Sequence, residues 1–181
     1  EREQAVYSYQ YPDIEKLCRM VQGYDSRIYE RLASDEDFLA ASVGHYAGKT
    51  AFTVEGKEPA WSEEEDPLVK IGRKIRRRYS VVDRPKAIDL KKAHLGIVGS
   101  KELVHRQLKM LAVQMAFFHS YQDLQMIVIY DRKYEEEFAW MRWLPHLRIR
   151  AMNVCGMVSS KRTRDLVLGS LQQILKERAV C

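Results

Sequence analysis

From His94 to Asp131 the chain passes through three apolar patterns in turn. Leu95-Gly96-Ile97-Val98 is a short apolar run that reads as a strand, and Gly99-Ser100 reads as a tight turn. After it, Val104, Leu108, Leu111, Met115 and Phe118 recur at helical spacing, with Glu102, Arg106 and Lys109 between them. That pattern predicts a long amphipathic helix with one buried stripe. Leu124 to Tyr130 is almost continuously apolar, as in a strand covered on both faces. Strand, helix and strand together predict a crossover, the building unit of a parallel α/β sheet.

The remaining elements are organised around this unit. Residues 1–11 are polar with Tyr7, Tyr9 and Tyr11 interspersed, and read as an extended or loosely helical lead-in. Pro12 suits a first helical position. Ile14, Leu17, Cys18, Val21, Ile28 and Leu32 then predict one helix of several turns, or two broken near Gly23. Residues 1–33 thus form an amphipathic helical arm, either packed on the domain or serving as a stalk, and 34–181 form the α/β domain. Ser34 to Asp37 reads as a turn. Phe38–Val43 and Lys49–Val54 predict a hairpin turned at Gly44 to Gly48, and Gly56 to Ser62 a loop. Asp66 is a good N-cap and Pro67 a good first residue for a helix with Leu68, Ile71, Ile75 and Tyr79 inward. Ala87 to Leu90 reads as extended. Lys133 to Trp143 reads as helical, ended by Leu144-Pro145-His146. Leu147–Met152 predicts a strand, and Lys161–Arg178 a helix with Val167, Leu168, Leu171, Ile174 and Leu175 inward.

Composition changes this picture little. The 181 residues suit one domain with an appended arm, and 46% apolar with 30% charged residues is ordinary for a globular chain. A net charge of +5 permits an anionic partner without demanding one. Cys18, Cys155 and Cys181 are far apart and lack C-x-x-C spacing, so neither a disulfide framework nor a zinc site is expected, and a reducing setting fits. No run approaches the ~18 apolar residues of a membrane span. The chain opens on Glu1 and reads as a piece of a longer protein, with room for a membrane segment outside it.

Candidate chemistry centres on the Gly99 turn, because nucleotide-binding folds place a phosphate loop after such a strand. A phosphate loop, G-x-x-x-x-G-K-[ST], needs several backbone N–H groups curled round the phosphates, a lysine and a hydroxyl. Gly96 and Gly99 do not match it, nor do they make G-x-G-x-x-G. The turn is too short, and Glu102 brings negative charge where phosphate would sit. Only the generic anion affinity of a helix start remains, near Ser100 and Lys101. Asp131 ends an apolar strand as a magnesium-organising acid would; without a phosphate loop it reads as a strand-end cap. His45, His94, His105, His119 and His146 are dispersed, with no helical i, i+4 ligand pair, so no metal is expected. Cys155 before Gly156 reads as a small buried residue rather than a nucleophile. Trp140 and Trp143, three apart, read as closing one side of the core, with a docking surface as the alternative. Arg73, Lys74, Arg76, Arg77 and Arg78 suit the negative end of a helix dipole; lipid or nucleic-acid contact is the other reading.

Several segments in order carry a family resemblance: Ile28-Tyr29-Glu30-Arg31, Ser34-Asp35-Glu36-Asp37-Phe38-Leu39, Asp66-Pro67-Leu68, Gly96-Ile97-Val98-Gly99, His119-Ser120-Tyr121-Gln122-Asp123-Leu124 and Trp140-Met141-Arg142-Trp143-Leu144-Pro145-His146. The chain resembles the membrane-proximal cytoplasmic domain of the FtsK/SpoIIIE-type ATPase of type VII (ESX/Ess) secretion systems, the EssC/EccC family, from about Ile28 to Arg178. Where the family often has arginine-leucine-glycine, this chain has Ser42-Val43-Gly44. The resemblance implies a RecA-like or Rossmann-like sheet with flanking helices, a degenerate phosphate-loop NTPase-like domain, and a helical arm leading from the membrane. It implies no catalytic, cofactor-binding or metal-binding residues in this segment, and a parent protein with ATPase domains downstream. The implied partners are other secretion-machine subunits including a ubiquitin-like component, neighbouring copies in a hexamer, and the membrane through adjacent segments. Nucleic acid is not among them, and the implied location is the cytoplasmic face of the cell membrane.

Overall fold

The computed structural model describes residues 1–53, 55, 67–149 and 154–180. The chain divides into two compact units, Glu1–Asp25 with Leu39–Gln114, and Ser26–Phe38 with Met115–Cys181.

The first unit begins with helices α1 (Arg2–Gln10) and α2 (Ile14–Gln22). Asp13 starts α2: its carboxylate accepts from Lys16 N at 2.7 Å, satisfying a donor that the helix leaves over. Pro12 therefore lies just outside the helix, and Gly23 closes it, as the break expected there requires. Leu17 and Met20 are buried. Ile28 and Leu32 continue no helix: Ile28 lies in a turn and Leu32 in irregular chain. α1 is held to its unit by Glu3, which accepts from Ala51 N (3.0 Å) and from the Tyr7 hydroxyl (2.8 Å). These donors hold the Glu3 carboxyl below its ordinary pKa, the Ala51 N–H foremost.

Strand β1 (Ala40–Lys49) runs straight through the glycines expected to turn it. It pairs antiparallel with β2 (Val81–Asp89), from Ala40 opposite Asp89 to Lys49 opposite Val81. The predicted hairpin is thus corrected: the partner of 40–49 comes from more than thirty residues on. Gly44 takes φ +153°, a conformation L side chains rarely adopt, within the register shift between Ser42 and His45. The glycine makes a bulge, not a turn. Val54, the Gly56 to Ser62 loop and the Asp66 cap lie outside the described residues.

Helix α3 runs over Pro67–Tyr79 among the described residues. Its apolar stripe is corrected: Leu68, Ile71, Ile75 and Tyr79 are all exposed. Leu95 to Val98 forms no strand, and Val98 is wholly exposed. A four-residue apolar run becomes a strand only where a neighbour offers a matching ladder of N–H and C=O groups. Among the described residues none does, so the first arm of the predicted crossover is absent there. α4 (Lys101–Phe118) forms as predicted; its residues up to Gln114 belong to this unit. Of the expected stripe, Met115 and Phe118 are buried while Leu108 is exposed; Ala112, Gln114 and Phe117 are buried in addition.

The second unit is built from short pieces. β3 (Val128–Ile129) pairs parallel with β6 (Met157–Val158), and β4 (Arg148–Ile149) antiparallel with β5 (Val154–Cys155). The Leu124–Tyr130 strand shrinks to two paired residues, and Ile129 is exposed rather than covered on both faces. Between them lie a 3-10 turn at Arg132–Tyr134, α5 (Glu135–Phe138) and 3-10 turns at Ala139–Trp143 and Pro145–Leu147. The closing helix, α6 (Lys161–Val180), buries Val167 against Ile149 and Val158, with Ile174 packed beside them. Leu168 and Leu175, expected inward, are exposed. Of the predicted 147–152 strand, Arg148 and Ile149 form β4, while Leu147 closes the 3-10 turn before it.

The chain is therefore mixed α/β, as expected in class. Among the described residues the sheets are three two-stranded pairs, and parallel pairing is confined to β3 and β6.

Candidate functional site

At the predicted phosphate-loop position, Gly96 has open space where a side chain would begin. The Ser100 carbonyl accepts from Val104 N at 3.0 Å, which starts α4. Lys101 and Glu102 are exposed in its first turn. Asp131 belongs to the other unit. Its carboxylate accepts from Lys133 N at 3.1 Å and lies 2.9 Å from Lys133 Nζ. That ammonium, with the Lys133 N–H, holds the Asp131 carboxyl below its ordinary pKa. Asp131 caps the 3-10 turn that follows it, two residues beyond the end of β3, rather than the strand end expected from the sequence.

The histidines separate into two kinds. His45 and His94 are exposed and His105 is half-buried. His119 and His146 are wholly buried in the second unit. The assigned geometry has His119 Nδ1 donating to the Met115 carbonyl at 3.0 Å, and His146 Nε2 donating to the His119 carbonyl at 2.8 Å. Burial pushes both imidazoles below their ordinary pKa. Neutral, the His119 ring ties back to the last turn of α4, and the His146 ring is a hydrogen-bonding strut between two backbone segments. Tyr29 and Tyr121 stack edge-on against His146, and Phe38 against His119.

Arg31 completes this cluster, and sequence reasoning missed it. Its side chain is buried, its guanidinium carbon 4.1 Å from the Phe118 ring centre and its Nε 3.0 Å from an Asp37 carboxylate oxygen. Tyr29 N and Arg31 N donate to the Phe117 and Phe118 carbonyls at 2.8 and 3.0 Å, satisfying groups that the end of α4 leaves over. The cation also stands where the helix dipole favours positive charge. Tyr29 reaches this position with φ +64°, an uncommon conformation for a non-glycine residue. The only sequence signal was order: Ile28 to Arg31, Asp37-Phe38, His119 to Tyr121 and His146 recur as short segments.

Beside the cluster opens a cavity of about 650 Å³ lined by Tyr121, Trp143, Pro145, Arg148, Ile149, Val154 and Cys155. Trp143 is 82% exposed. The expectation that Trp140 and Trp143 close the core together is corrected: Trp140 is half-buried, and Met141 takes the buried place. The turn after Phe138 is 3-10, which shifts the faces that helical spacing assumes. Cys155 is likewise exposed, not buried. Among the described residues, no three His, Cys, Asp or Glu side chains are grouped to hold a metal ion, and no helix is long and apolar enough to cross a membrane. The cavity wall offers an indole, a phenol, a guanidinium and aliphatic carbon, a chemistry suited to gripping a protein surface.

No family model matches the chain. Among curated proteins it is similar to the ESX secretion system protein EccC of Geobacillus thermodenitrificans, 31% identical over 182 residues and 99% of this chain. It is 30% identical, over 172 residues and 94% of this chain, to the type VII secretion system protein EssC of Staphylococcus aureus strains MSSA476 and NCTC 8325. The chain spans 12% of the length of each of these relatives.

Proposed function

The chain is a segment of the EccC/EssC family of type VII secretion proteins, and from it we propose a non-catalytic, membrane-proximal domain of a secretion motor. It lies at the cytoplasmic face of the cell membrane and couples downstream ATPase domains of the parent protein to the membrane pore. It does so through protein–protein contacts with other secretion-machine subunits, a ubiquitin-like component among them, and with neighbouring copies in a hexamer. Residues 1–33 serve as its stalk.

One observation carries this reading. Of the residues by which the chain resembles its family, Tyr29, Arg31, Asp37, Phe38, His119, Tyr121 and His146 pack into one cluster. They build shape, and Trp143 stands exposed beside them over an open cavity. A domain that spends its distinctive residues on shape and presents Trp and Arg to solvent suits docking. The Gly99 turn agrees, since the curled backbone that cradles phosphate is missing from its sequence.

Two measurements test the proposal. Titration calorimetry of the chain with ATP·Mg is expected to give no binding heat; micromolar affinity overturns the non-catalytic reading. Trp143→Ala with Arg148→Ala in the full-length parent is expected to cut secretion at least tenfold at unchanged protein level. Unaltered secretion removes the docking role from this surface.

A further inference from the structure

Helix α3 carries Lys70, Arg73, Lys74, Arg76, Arg77 and Arg78 and no acid in thirteen residues. At roughly 100° per residue, Leu68, Ile71, Ile75 and Tyr79 share one arc about 80° wide. They are 74, 51, 48 and 55% exposed, and no residue of α3 is buried. Val69 and Arg76, the half-buried pair, lie together roughly 110° round the helix from the centre of that arc, on the side that leans on the unit. The apolar arc therefore faces solvent. The dipole accounts for Arg76 to Arg78 in the last turn. It accounts neither for Lys70, Arg73 and Lys74 nor for four apolar side chains in water. Phe52, also exposed, adjoins the helix with Arg73 and Arg77 in a groove of about 560 Å³.

We propose that α3 is a membrane-surface helix that lies in the headgroup region of an anionic bilayer. Leu68, Ile71, Ile75 and Tyr79 enter the acyl boundary, and the exposed lysines and arginines reach back along their aliphatic stems to lipid phosphates. The choice of partner follows from complementarity. A nucleic acid takes the cations and leaves the apolar arc in water. An anionic bilayer takes both. The six cations outnumber the four acids, Glu63 to Asp66, that precede the helix in sequence, so the attraction survives them. This goes beyond the secretion reading and rests on α3 alone.

Flotation of the 181-residue chain with phosphatidylcholine vesicles containing 30% phosphatidylglycerol, at low salt, tests it. The chain is expected to float with these vesicles and to stay behind with pure phosphatidylcholine. Each basic residue near an anionic surface contributes roughly fivefold in partitioning, so Lys70→Gln, Arg77→Gln and Arg78→Gln together weaken it on the order of a hundredfold. Ile71→Ser with Ile75→Ser is expected to weaken it at least tenfold, with circular dichroism confirming the fold, since both side chains are exposed. No flotation at low salt overturns the proposal. So does flotation that neither set of substitutions alters, or tight binding of a DNA or RNA duplex in the absence of vesicle binding.

Discussion

Replacing Gln114 by methionine isolates one interaction. Gln114 is buried on α4 and grips the backbone of a single β1 residue from both sides. Its Oε1 accepts from Ser42 N at 2.9 Å, and its Nε2 donates to the Ser42 carbonyl at 2.9 Å. Ser42 sits where the register slips, so this amide does for β1 what a neighbouring strand would. Methionine keeps the length and volume of the side chain and loses both bonds. A buried backbone group left without a partner costs about 1–3 kcal/mol. With two groups and some access for water, Gln114→Met is expected to lose about 2–4 kcal/mol. At about 2–4 °C per kcal/mol for a chain of this size, the melting midpoint falls by roughly 4–16 °C. Urea unfolding gives the free energy, and amide exchange at Ser42 gives the cause: that one N–H should exchange faster out of proportion to global stability. A loss below about 0.5 kcal/mol, the scatter of surface substitutions, with exchange unchanged would refute the reasoning.

Three further outcomes are expected. His119 and His146 have depressed pKa values because burial disfavours the imidazolium. The unfolded chain therefore takes up protons first as pH falls through about 6.5. Their stabilisation is complete above that pH and lost below it, so the urea midpoint should be level from pH 8 to 7 and decline from 6.5 to 5; a level midpoint to pH 5 contradicts this. An alanine Cβ at Gly156 would stand 2.5 Å from the Met126 carbonyl oxygen and 3.3 Å from that of Leu147, both backbone. Gly156→Ala should cost about 2–4 kcal/mol, from overpacking and strained pairing of β3 with β6, read by thermal unfolding; a change under about 0.5 kcal/mol argues against that packing. Trp143→Ala should leave stability within about 0.5 kcal/mol, whereas Met141→Ala, buried at 4% exposure, should cost about 2–5 kcal/mol. The reverse order would restore the tryptophan to the core.

Local signals carried far along this chain. Amphipathic spacing placed α4 and α6, and Gly23 placed the end of α2. These features depend on residues within a turn or two of each other, where backbone stereochemistry acts directly. The segment order also sufficed to place the chain in its family, because order survives without any knowledge of contacts.

Pairing and burial were settled elsewhere. Nothing near Gly44 says that its freedom serves a bulge, because the partner strand is β2, some forty residues on. An apolar stripe says that a helix has a face to cover and not that the fold covers it, so α4 and α3 carry similar patterns to opposite ends. His119, His146 and Arg31 are scattered in sequence, and only the close of α4 against 29–31 turns them into one buried, hydrogen-bonded cluster. Hydrophobic periodicity records the tendency to leave water; where a side chain goes depends on which distant backbone offers it a place.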